Sequence, residues 1–172
     1  MIEKRQKTAF LADLGSVSKD LAGLEAINGF QIENLGNGSF SINGNGANPS
    51  RNEYYTIRPV QLAEFARSTN LSPEQLKLLV GFLERYPNIE TVEQDLNLSG
   101  KCRAGNVPVC RAIKVYLQTS LFSQWFSAAS WHSEGYMYIP FQLNESDQAF
   151  LKRYFGVVKE IAPDWYSFSG AH

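Results

Sequence analysis

The chain has 172 residues, of which 44% are hydrophobic and 19% charged, with a formal net charge of −1. That composition excludes a disordered chain, and the charge balance excludes a global field drawing the molecule toward nucleic acid or anionic lipid. A chain of this length is expected to form one globular domain over 1–172, burying roughly 70% of its unfolded surface without help from disulfides or metal.

Lys4, Arg5 and Lys7 open the chain like the charged start of a signal peptide, but Asp13, Ser16, Ser18, Lys19 and Asp20 break any apolar run behind them. No window approaches the ~18 apolar residues of a membrane span. The expectation is a cytoplasmic protein without a membrane partner, whose two cysteines, Cys102 and Cys110, stay reduced.

The first predicted element is a helix over about 3–25, because Phe10, Leu11, Leu14, Val17, Leu21 and Leu24 recur at three- and four-residue steps. Asn28-Gly29 follows as a left-handed stop. Phe30 and Ile32, then Phe40 and Ile42, alternate with polar residues around Asn37-Gly38, which predicts a β-hairpin over 30–42 with one buried face. The stretch 43–52 contains no apolar residue larger than alanine and reads as a mobile loop.

A strand is expected near 54–58, and Pro59 then suits the first turn of a helix over 59–69. Ser72-Pro73-Glu74-Gln75 is a capping box opening a helix over 73–86, with Leu76, Leu79, Val80, Leu83 and Tyr86 on one face. The pattern favours a short helix from Ile89 to Leu96 and a loop from Leu98 to Val107. For 109–131 the helical step of Ile113, Leu117, Leu121 and Trp125 is favoured, with a strand over Ala112–Gln118 as the alternative. Tyr136 to Leu143 reads as a strand, placed at an edge or bulge by Pro140. Asn144 then caps a helix from Glu145 to Ile161, and Pro163 leaves an aromatic tail over 162–172. Helices and strands mix without regular alternation, so the predicted class is α+β: a small, mainly antiparallel sheet packed against several helices.

Metal chemistry fails on spacing, since Cys102 and Cys110 are too far apart for a zinc pair and no cofactor or metal is expected. His132-Ser133-Glu134 resembles the His-x-Glu of zinc deaminases, but no cysteine follows it. Gly100-Lys101 lacks the upstream glycine and the hydroxyl of a phosphate loop. The remaining catalytic candidates are Cys110 and His132 as a thiolate–imidazolium pair, with Glu134 orienting the imidazole.

Two binding readings are stronger. Residues 62–83 have the organisation of a helix-turn-helix, with Ala66 at the small position, Asn70 in the turn and Leu71, Leu76 and Leu79 locking the helices. Nucleic acid or another anion would then meet Lys77 and the basic segment 101–114, through Lys101, Arg103, Arg111 and Lys114. The other reading rests on aromatics. Trp165, Tyr166 and Phe168 follow the last predicted helix without a core face of their own, so they are expected to pack on their own core or on a partner subunit.

The leading expectation is a small non-catalytic binding or regulatory module acting through protein contacts, including self-association as a homodimer. A helix-turn-helix nucleic-acid binder is the alternative, and a small enzyme near Cys110, His132 and Glu134 comes third.

Overall fold

The computed structural model describes residues 2–27, 29–36, 38–44, 55–57, 71–98, 110–117 and 132–171. The expected loop beyond Gly44, the helix over 59–69, Lys101, Arg103 and the segment 118–131 lie outside the described residues.

The fold is α+β. Its strands are β1 (Phe30–Asn34), β2 (Phe40–Gly44), β3 (Tyr55–Ile57), β4 (Ile89–Leu98), β5 (Cys110–Leu117), β6 (His132–Tyr138), β7 (Val157–Ala162) and β8 (Trp165–Ala171). They form one sheet in the order β3-β2-β1-β4-β5-β6-β8-β7, and each described ladder is antiparallel. The described helices are α1 (Ile2–Ala12), α2 (Leu14–Ala22), α3 (Pro73–Arg85) and α4 (Glu145–Phe155).

Local chemistry accounts for the elements the sequence predicts well. In the β1–β2 hairpin Ile32 lies opposite Ile42, and Phe30 and Phe40 are buried with them. Gly36 and Gly38 turn the chain at φ 75° and 74°, angles that side-chain-bearing residues resist. Helix α3 starts at the expected capping box: Ser72 Oγ accepts the Gln75 amide at 3.2 Å, and Gln75 Oε1 accepts the Ser72 amide at 2.8 Å. Helix α4 starts where Asn144 Oδ1 accepts the Asp147 amide at 2.8 Å.

Strand alternation splits the interior into two clusters on opposite faces of the sheet. On the first face Ile32, Val92, Ile113, Val115, Tyr136 and Trp165 pack against Phe10, Val17 and Leu21 of α1 and α2, and against Leu76, Leu79 and Leu83 of α3. On the second face Ala112, Met137 and Phe168 pack with Leu151 and Phe155 of α4. Each fully buried aliphatic side chain contributes on the order of 1.5–3 kcal/mol, so both faces are needed.

A small polar clasp ties α2 to the end of α3. Asp20 Oδ2 accepts hydrogen bonds from the Tyr86 hydroxyl, at 2.7 Å, and from the Arg85 guanidinium. Burial and the bond to Asp20 push the Tyr86 hydroxyl up to about 12 from the usual 10.0. Because the folded value is the higher one, this contribution to stability is complete below about pH 10 and is lost as pH rises toward about 12. Tyr136 and Tyr166 shift in the same direction, so the informative quantity is a difference. Melting temperature should fall less steeply between pH 10 and 12 in Tyr86→Phe than in the native chain; parallel curves would rule the clasp out.

Several predicted elements differ. The single helix over 3–25 is two helices, α1 and α2, broken at Asp13, whose amide bonds back only to Phe10 at 3.1 Å. The segment from Ile89 to Leu96 is strand, as part of β4, not helix. The described part of 109–131 is also strand, β5. The helix from Glu145 stops at Phe155, where Gly156 takes φ 67°, and the chain returns as β7. The aromatic tail is the strand β8, set between β6 and β7. Pro163 therefore opens a two-residue turn, with Asp164 at φ 64° behind it, and does not end a helix.

Candidate functional site

The polar centre of the second face is built from β4 and β5. Glu93 lies directly opposite Lys114, and Thr91 opposite Tyr116, so antiparallel register brings Glu93, Lys114 and Tyr116 to one face. Lys114 Nζ sits 2.6 Å from Glu93 Oε1, and the Tyr116 hydroxyl donates to the same oxygen at 2.9 Å. The side chains of Lys114 and Glu93 keep only 8% and 14% of their surface in solvent.

Aromatic rings wall this pair. The Lys114 ammonium lies 5.6 Å from the Phe155 ring centroid, within cation–π range. Phe168 meets Phe155 edge-on at 5.1 Å and Tyr116 edge-on at 5.7 Å. Room for Phe168 comes from Gly135, where an added Cβ would stand 2.5 Å from the Phe168 ring and 3.1 Å from Tyr116. Gly135→Ala should therefore cost about 1–3 kcal/mol by overpacking, read as a lower denaturant midpoint. A neutral result would mean that the rings are not held where they are described.

Chemically the arrangement is a satisfied ion pair under an aromatic cover. The oxygen of Glu93 that would serve as a base already accepts two hydrogen bonds, one from the ammonium that would serve as a nucleophile. Its evident work is to let a polar row cross a buried face of the sheet.

The predicted site residues scatter. Lys77 is exposed on α3, Arg111 is half-buried on β5, and Lys114 is committed to Glu93. In the β5–β6 ladder Val115 lies opposite Tyr136. Cys110 is the first residue of β5 and His132 the first of β6, and both lie outside the β5–β6 pairs, which run from Ile113–Tyr138 to Val115–Tyr136. Glu134 is exposed on β6, opposite Ser169. Trp165 is 1% exposed, Phe168 is buried and Tyr166 half-buried, all within this chain's own sheet.

A feature that periodicity alone did not reveal lies on α4. Phe150 and Tyr154, one helical turn apart, pair at a centroid distance of 4.4 Å, and Tyr154 keeps 51% of its surface in solvent. Arg153, three residues beyond Phe150 on the helix, is exposed beside them. The sequence spacing puts Phe150, Leu151, Tyr154, Phe155, Val158 and Ile161 on one buried face of a helix over 145–161, whereas the structure buries Leu151 and Phe155 and leaves Tyr154 exposed. Among the described residues no group of three or more His, Cys, Asp or Glu side chains is placed to hold a metal, and no helix is long and apolar enough to cross a membrane. No protein-family model matches the chain, and neither does any curated protein or solved structure.

Proposed function

We propose that the chain is a small non-catalytic binding module acting through protein contacts, with the Phe150–Tyr154 shelf on α4 as its contact surface. The observation that carries this reading is Tyr154, a large aromatic side chain half in solvent yet fixed against Phe150. Tyrosine in such a position offers apolar area and a hydroxyl at little cost in conformational freedom. The helix beneath it is anchored by Leu151 and Phe155 and capped by Asn144, so the shelf is preorganised. Arg153, one turn beyond Phe150, suits a partner that presents an apolar side chain beside an acidic group.

The test is a photo-crosslinking amino acid placed at position 154, with position 7 on α1 as an exposed control. The proposal expects one discrete protein adduct from position 154, absent from position 7 and weakened by Arg153→Glu. Adducts of the same kind from both positions, or none from either, would remove it. The competing nucleic-acid reading expects salt-dependent binding of generic duplex at ~50 mM salt, weakened by Lys77→Ala. The protein-contact reading expects no such binding.

A further inference from the structure

We infer that the outer edge of β7 is built to refuse pairing with a second copy of the chain. The sheet ends at β7, and among the described residues no strand lies outside it. An edge strand offers unpaired N–H and C=O groups to any neighbour, and four of the six residues here, Val157, Val158, Ile161 and Ala162, are apolar. The two exceptions, Lys159 and Glu160, sit side by side at the centre, and both are exposed.

Full overlap of two antiparallel copies would set Lys159 opposite Glu160 and Val158 opposite Ile161, an attractive pairing on charge and apolarity. Symmetry forbids it. Lys159 lies across from Ser167 on the first face, whereas Val158 and Glu160 lie across from Phe168 and Tyr166 on the second. Directly opposed residues must point to the same face. A two-fold axis normal to the sheet keeps each face on its own side, so it always sets some residue opposite its own copy.

The two registers centred on the strand therefore oppose Lys159 to Lys159 or Glu160 to Glu160, like charges in direct contact. Centring on Val158 or Ile161 shortens the ladder and leaves the same like charges as diagonal neighbours. At Ile161 it also meets the register shift between Glu160 and Ala162, and then Pro163. Each two-fold antiparallel route to self-pairing meets a charge or a break, independently of what α4 binds.

The test compares the native chain with Lys159→Val/Glu160→Val and with the milder Lys159→Thr/Glu160→Thr, by sedimentation and hydrogen exchange up to ~100 µM, a range in which exposed edges associate. The inference expects the Val pair, or the Thr pair should the first fold poorly, to associate with concentration and to gain exchange protection in β7. The native β7 should gain none. Variants that keep native sedimentation and native β7 exchange would overturn it, as would a native β7 that becomes protected as concentration rises.

Discussion

A chain ending at Pro163 is expected not to fold. The segment it lacks is β8, which pairs with β6 from Tyr138–Trp165 to His132–Ala171 and supplies the described partner of β7. Trp165 belongs to the first-face cluster and Phe168 to the second, so one strand feeds both. Truncating a buried Trp or Phe to alanine costs about 3–5 kcal/mol, and two such losses approach a whole domain's stability of about 5–15 kcal/mol. The truncated chain should therefore show no cooperative melting by circular dichroism. Within the full chain, Trp165→Ala should cost about 3–5 kcal/mol. Trp165→Phe, which removes the 2.7 Å bond from Nε1 to Ser18 Oγ, should cost at least the ~1 kcal/mol of that bond. Native-like melting of the truncated chain would contradict the placement of β8.

The second large effect concerns Lys114. Lys114→Ala should cost about 3–5 kcal/mol, because it leaves the largely buried Glu93 carboxylate without its cation and opens a gap beside Phe155. Lys114→Met/Glu93→Leu should recover most of that loss, since a packed apolar pair replaces a satisfied ionic one at little net cost. The comparison separates structure from chemistry. If both variants are equally destabilised, with coupling between the two sites near zero, the pair is not the structural unit its geometry indicates.

Some of the fold was legible because one physical signal dominated locally. The β1–β2 hairpin has clean two-residue alternation around Asn37-Gly38, and α3 and α4 open on side chains whose oxygens cap them. Elsewhere two signals competed. In β4 the register shifts between Ile89 and Thr91 and between Glu93 and Leu96, so buried Ile89 and Val92 fall three residues apart and mimic a helix. After α4, Val158 and Ile161 continue a helical step from Phe155, and only Gly156 reveals that the chain has turned.

The polar centre was hidden for the same reason. Lys114 was visible as one cation in the segment 101–114, but Glu93 could not be placed opposite it while 89–96 read as a helix. Trp165 and Phe168 read as a tail because β7 up to Ile161 reads as a continuation of the helix from Glu145, while their partners on β6 are distant in sequence and periodicity reports only local order.

The interior placement of the last strand is tested most directly by native-state hydrogen exchange of the backbone amides from Tyr166 to Ser169. In a strand bonded on both sides, amides within the ladders should exchange only through global unfolding, as slowly as those of β5 and β6. Exchange of the whole segment within minutes, at rates typical of a frayed terminus, would contradict the two-faced sheet on which the shelf, the ion pair and the guarded edge all depend.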